Sequence, residues 1–297
     1  MAITAQQVKE LRESTGAGML DCKKALEAND GNMDASVDWL REKGIAKAAK
    51  KADRIAAEGL TKIIVEGNKA VIVEVNSETD FVAKNEKFIE LINQIAQHLL
   101  ASAPASLEEA MKTTINGKAL EEFLAEATAT IGEKITLRRF EIIEKADDAA
   151  FGAYSHMGGK IGVLVELNAT DNEEGAKDVA MHVAAMNPQF VSRADVSDEF
   201  INKERQIQLE LTKNDPKTAD KPEKVMTGIV EGKLTKQLKE IVLLDQVFVK
   251  NSDQTVGDFI KGLKATIGRV VRFGVGEGIE KKEVDFADEV MSQVNAK

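Results

Sequence analysis

The sequence predicts an α+β protein: an N-terminal three-helix module, a duplicated hairpin-plus-helix core, an inserted antiparallel coiled-coil arm and a small C-terminal module. Three observations predict it. Apolar residues recur at helical spacing through residues 4–44 and again through 198–241. Short β-rich runs are followed by amphipathic helical stripes. The stretch Val71-Ile72-Val73-Glu74-Val75-Asn76 returns as Val163-Leu164-Val165-Glu166-Leu167-Asn168, with Thr-Asp and an Ala-x-His helix after it both times.

The first module begins at Thr4, where Gln7 completes a capping box and Ile3 with Val8 forms the hydrophobic staple across it. Val8 and Leu11 continue the apolar stripe, and Thr15-Gly16-Ala17-Gly18 breaks the helix. A second helix carries Met19, Leu20, Ala25 and Leu26 and stops at Asn29-Asp30-Gly31. A third holds Met33, Val37 and Leu40 and is expected to end at Gly44. A core this small is marginal alone, so the module reads as an appended binding element. In residues 45–58, Lys47, Lys50, Lys51 and Arg54 share one helical face. The plain reading is a solvated linker helix; the sharper one is a basic contact for an acidic partner.

The core begins with runs 60–65 and 70–75 joined by Glu66-Gly67-Asn68-Lys69, a hairpin pattern. A helix with Phe88, Leu91, Ile92, Ile95 and Leu99 on one stripe follows, then helices near 106–112 and 117–131 and a strand at 134–143. The second copy repeats this plan, and each sheet is expected to be covered by helices on one face. Between Thr-Asp and the Ala-x-His helix the first copy is longer, and the extra chain begins at Phe81. Extra length at a strand-to-helix junction is where function often sits. His98 and His182 occupy equivalent places in the two copies, which favours structural roles for both.

Residues 195–240 interrupt the second copy. A charged helix from 198 to 212 breaks at Asn214-Asp215-Pro216, and Pro222 opens a helix with Met226, Val230, Leu234, Leu238 and Ile241 on a narrow stripe. A strand at 247–250, a helix at 255–264, a strand at 269–275 and a helix near 285–294 close the reading. The expected domains are residues 1–55 for the three-helix module and its linker, and 56–145 for the first copy. The second copy takes 146–194 and 229–264, the arm 195–228 and the C-terminal module 265–297.

Composition removes several function classes. The 40 basic and 50 acidic residues leave a net charge of -10, against whole-surface attraction to phosphate backbones or anionic membranes. Aromatics are only 4% of residues, which leaves few platforms for stacking bases. No run is long and apolar enough to span a bilayer. The single cysteine, Cys22, excludes a disulfide within the chain, and the start lacks an apolar leader, so a cytoplasmic location is expected. There is no phosphate-binding loop; Gly274-Val275-Gly276-Glu277-Gly278 reads as a turn rather than a dinucleotide loop. Lys23 and Lys24 beside Cys22 could lower its pKa, but a packed thiol is the better reading. No catalytic residue, metal site or cofactor is expected.

One cluster stands out. Glu78-Thr79-Asp80-Phe81-Val82 pairs a carboxylate with a large aromatic at the start of the extra length. Two readings compete: Thr79 or Asp80 caps a helix while Phe81 enters the core, or Phe81 protrudes to fill a partner's pocket.

The motifs resemble the elongation factor Ts family. Leu11-Arg12, Thr15-Gly16-Ala17-Gly18-Met19 and Asp21-Cys22-Lys23-Lys24-Ala25-Leu26 are similar to its N-terminal signature. Thr79-Asp80-Phe81-Val82-Ala83-Lys84 is similar to its central one, and Val275-Gly276-Glu277-Gly278-Ile279-Glu280-Lys281 to its C-terminal one. The resemblance implies a ubiquitin-associated-like N-terminal domain and a partner, elongation factor Tu, whose GDP release the family speeds without bond chemistry. It implies that Thr79, Asp80, Phe81 and Val82 meet the GTPase and dislocate its Mg2+. It implies contacts from Arg12, Met19, Leu20 and Lys23, with Leu20 standing where the family pattern has Met, and one of Met19 and Leu20 expected in the helical core. It implies a further contact from Tyr154 and His156. The alternatives are a generic binding adaptor or chaperone and, more distantly, an enzyme; binding to elongation factor Tu separates them.

Overall fold

Residues 3–280 are described in a computed structural model. Thr4 opens α1 (Ala5–Thr15) with the expected capping box: its hydroxyl accepts from the Gln7 amide at 3.2 Å, and the Gln7 side chain accepts from the Thr4 amide at 3.0 Å. Gly16 adopts the left-handed conformation that ends the helix. α2 (Met19–Ala28) and α3 (Met33–Ala49) follow, the latter capped by Asn32. Val8, Leu11, Cys22, Ala25 and Leu26 form the shared core, with Ile3, Met33, Trp39 and Leu40 packed around it.

Next come β1 (Glu58–Glu66), β2 (Lys69–Ser77), the one-turn α4 (Asp80–Ala83) and α5 (Glu86–Ser102). α6 (Leu107–Lys112), the short pair β3 (Thr114–Ile115) and β4 (Lys118–Ala119), α7 (Leu120–Ile131) and β5 (Thr136–Glu144) complete this part. β2 lies centrally in a sheet of order β1-β2-β5 and is buried from Ala70 to Ser77, which is why it reads as a nearly continuous apolar run.

Two expectations for the N-terminal region change here. α3 does not stop at Gly44 but continues to Ala49. The glycine is a contact point: a Cβ on it would lie 3.2 Å from the Ala129 Cβ on α7, so the missing side chain lets the two helices approach. The basic linker helix also ends at Ala49, and its cations do not form one solvated face. Lys47 pairs with Asp21 at 2.8 Å, Lys51 donates to the Gly132 carbonyl, and Arg54 meets Glu78 at 3.3 Å. These three charges each have a separate partner within their own unit.

The second half runs β6 (Ala150–His156), β7 (Ile161–Asn168), α8 (Glu173–Met186), α9 (Asp198–Asn214) and α10 (Glu223–Ile241). It ends with β8 (Val247–Phe248), β9 (Asn251–Thr255), α11 (Val256–Gly262) and β10 (Thr266–Gly274). β7 is central in a sheet of order β10-β7-β6, so both copies of the recurring run fall on central strands. α8 packs across β6 and β7. Its approach requires Gly152, where a Cβ would fall 2.1 Å from the Ala176 carbonyl oxygen. The expected strand at 247–250 is shorter, because the chain turns back to pair Phe248 with Asn251. The returning strand β9 is polar and mostly exposed, and gave no apolar alternation to read.

α9 and α10 pack against each other in opposite directions. Gln237 bonds Glu204 and Gln208, while Lys233, one turn earlier, bonds Thr212 farther along α9. Val230, Leu234 and Leu238 bury their side chains at i, i+4 and i+8. Val196, Leu234, Leu238 and Val242 form a cluster with Phe190, Phe200, Ile201 and Ile241.

The described chain divides into two compact units: residues up to Lys62 with Val73–Phe140 and the stretch from Phe273, and Ile63–Ile72 with Glu141–Arg272. The helix expected near 285–294 lies outside the described residues.

Candidate functional site

Phe81 is 80% exposed. The local structure explains how a large aromatic is held there. β2 ends at Ser77, and Thr79 is the N-cap of α4, its hydroxyl accepting from the Val82 amide at 3.4 Å. Ala83 is buried and anchors the turn, while Val82 is half-buried. Asp80, in the first turn, pairs with Lys84 at 2.6 Å. Asn85 then caps α5, its side chain accepting from the Lys87 amide at 2.9 Å. Two caps within seven residues fix both ends of the turn that carries Phe81. The two sequence readings are therefore each half realised: Thr79 caps, and Phe81 protrudes.

Glu133 also reaches this turn, accepting hydrogen bonds from Glu78 and Thr79. Nothing local in the sequence singled it out, because it lies 54 residues from Thr79 in the chain.

Arg12, Met19, Leu20 and Lys23 stand on the N-terminal module. Met19 is 59% and Leu20 74% exposed. The expectation that one of them enters the helical core is not met. On α2, positions 22, 25 and 26 face inward, which turns 20 and 23 away from the core; Met19 is exposed as the first residue of the helix. Arg12 is exposed near the end of α1, and Lys23 is exposed with Glu27 at 3.7 Å. Cys22 is fully buried, and burial pushes its thiol pKa up from the ordinary value, opposite to the lowering its lysine neighbours hinted at.

In the second unit, Tyr154 and His156 lie on β6 two residues apart, hence on the same face. The Tyr154 hydroxyl is 3.1 Å from His156 Nδ1, and the rings stack with centroids 5.9 Å apart. Tyr154 is half-buried against the core of this unit; His156 is exposed, as is Met157 in the turn that follows.

Of the other two histidines, His182 is fully buried and His98 half-buried. His98 Nε2 lies 2.6 Å from the Thr113 hydroxyl, and His182 Nε2 lies 2.9 Å from the Gln246 side-chain oxygen. Among the described residues no group of three or more His, Cys, Asp or Glu is arranged to hold a metal ion, and no helix is long and apolar enough to cross a membrane. The glycine-rich stretch after β10 is a turn: Gly276 donates to Glu74 at 2.9 Å, and the Glu277 carboxylate accepts from Gly274 at 3.2 Å.

The family model described as elongation factor Ts matches residues 78–277, from the residue before Thr79 to the turn after β10. The chain belongs to the elongation factor Ts family. Elongation factor Ts proteins act in translation elongation as exchange factors, with elongation factor Tu as partner. The match covers Thr79–Val82, Tyr154 and His156; the N-terminal candidates Arg12, Met19, Leu20 and Lys23 lie before it.

Proposed function

We propose that the chain binds elongation factor Tu·GDP and promotes GDP release by disturbing the Mg2+ and phosphate site of that GTPase. Phe81 is the inserted side chain, and Thr79, Asp80 and Val82 surround it. Arg12, Met19, Leu20 and Lys23 form a second contact, and Tyr154 with His156 a third. The observation that carries this reading is the exposure of Phe81 on a doubly capped turn. Burying an aromatic side chain of this size in a partner's pocket is worth roughly 2–3 kcal/mol. A rigid turn loses little entropy when it docks.

The energetics of exchange follow. GDP is held by Mg2+, by backbone N–H groups and by a lysine around its phosphates. A partner that binds the distorted, nucleotide-free GTPase more tightly shifts the population toward it. Reciprocity requires nucleotide to weaken the partner equally. No bond is made or broken, so the chain needs no cofactor and is not an enzyme in the chemical sense. It works in the cytoplasm, where its partner does. In the same reading the N-terminal helices are a ubiquitin-associated-like domain, the two hairpin-plus-helix parts a duplicated core, and α9 with α10 a coiled-coil arm.

Stopped-flow release of a fluorescent GDP analogue from elongation factor Tu tests this. Wild type is expected to accelerate release many-fold and Phe81→Ala to lose most of that. Equal acceleration by the variant would move the mechanism away from Phe81. No acceleration by folded wild type would leave a binding adaptor in its place.

A further inference from the structure

The turn that presents Phe81 is held by a carboxylate from another part of the chain. Glu133 follows α7 and is half-buried. Its Oε2 accepts from the Thr79 amide at 2.9 Å and the Glu78 amide at 3.1 Å, and its Oε1 accepts from the Thr79 hydroxyl at 2.6 Å. Three donors converge on one side chain. The neighbouring residue adds a second tie: the Lys134 amide donates to the Glu78 carboxylate at 2.6 Å, and the Lys134 ammonium donates to the Ala52 and Arg54 carbonyls at 2.6 and 2.9 Å.

We propose that Glu133 is a positioning residue for exchange: by fixing Glu78 and Thr79 it sets the direction in which Phe81 leaves the surface. This rests on the reading of Phe81 as the inserted group. The physical case is that α4 is a single turn, too short to hold its own geometry through helical hydrogen bonds. Thr79 is the hinge between β2 and that turn. A hydroxyl that both accepts from Val82 and donates to Glu133 has its rotamer set from two sides. A charged acceptor makes the stronger kind of hydrogen bond, and here it takes two backbone N–H groups that the end of β2 leaves to a side chain. Displacing a docking side chain by about 1 Å is enough to cost on the order of tenfold to a hundredfold in rate.

Four proteins test it: wild type, Glu133→Ala, Phe81→Ala and the double variant, each assayed for release of a fluorescent GDP analogue from elongation factor Tu. Glu133→Ala is expected to slow release on the order of tenfold in the wild-type background. It should add no further loss in the Phe81→Ala background, because it acts through that ring. Glu133→Gln, which keeps an oxygen for the two amides, should restore most of the rate. Hydrogen exchange of the free protein should show the amides of residues 78 and 79 losing protection in Glu133→Ala while those of α5 keep theirs. Unchanged release, equal losses in both backgrounds, or unchanged protection at 78 and 79 would each overturn the proposal. If wild type itself fails to accelerate release, the exchange reading falls, and the protection of residues 78 and 79 still decides whether Glu133 holds the turn.

Discussion

Arg139 Nε lies 2.6 Å from Glu74 Oε2, and Glu74 is fully buried on the central strand β2. Arg138 takes the other carboxylate oxygen at 2.9 Å, and the Gly276 amide and the Asn76 side chain add two further bonds to it. Arg139 also lies over the Phe273 ring and donates to the Gly274 carbonyl. One buried carboxylate thus ties β2, β5 and the turn after β10. Removing the buried carboxylate leaves Arg138 and Arg139, 25% and 32% exposed, without this partner, so Glu74→Ala should lower unfolding free energy by about 1–3 kcal/mol in urea titrations. A loss below about 1 kcal/mol would mean the arginines find water instead.

The exposure of Met19 and Leu20 separates binding from folding at the N-terminal module. The double change Met19→Ala, Leu20→Ala should alter the melting temperature little, since substitutions at exposed sites stay within about 0.5 kcal/mol. It should raise the concentration of protein needed for half-maximal GDP release and leave the rate at saturation nearly intact. A fall in the saturating rate without a change in half-saturation would contradict a purely anchoring role.

His182 is buried, and burial holds its pKa below the ordinary 6.5. Its Nδ1 accepts from the Val249 amide at 3.2 Å, so the neutral ring donates from Nε2 to Gln246. The unfolded chain takes up this proton near the ordinary value while the folded chain resists. The stabilisation is therefore fully present above about 6.5 and is lost as pH falls toward the depressed folded value. Urea midpoints measured from pH 7.5 to 5 should drop for wild type and drop less for His182→Gln. His98, also lowered by burial, acts with the same sign, so the variant's profile flattens without becoming level.

The arm can be shortened at a place the helices themselves define. α10 runs to Ile241, and Leu234 and Leu238 belong to the cluster with Phe200 and Ile201. Replacing residues 203–232 by a short turn keeps that cluster, whereas cutting at 228 leaves half a helix with an uncovered stripe. The shortened protein should fold with a melting temperature close to wild type and retain partial exchange. Complete loss of exchange in a folded variant would place an essential contact on the arm.

Much of the fold was legible because its signals are local. The Thr4–Gln7 capping box, the helical stripe through Phe88, Leu91, Ile92, Ile95 and Leu99, and the hairpin around Gly67 each depend on residues within one or two turns of each other. The errors came where a distant segment set the outcome. Gly44 reads as a stop until α7 is seen to pack on it. Lys47, Lys51 and Arg54 read as one basic face until Asp21, Gly132 and Glu78 divide them. Cys22, by contrast, reads as a packed thiol despite its two lysine neighbours, and burial agrees.

The sequence by itself determined the family, the helical and strand segments and the candidate cluster Thr79–Val82, since motif and periodicity are properties of neighbours in the chain. Only the tertiary structure decided that Phe81 faces solvent rather than core and that Met19 and Leu20 are both exposed. It alone brought Glu133 to Thr79. Exposure and long-range hydrogen bonds depend on which surfaces are covered after folding, and a side chain's type leaves that open.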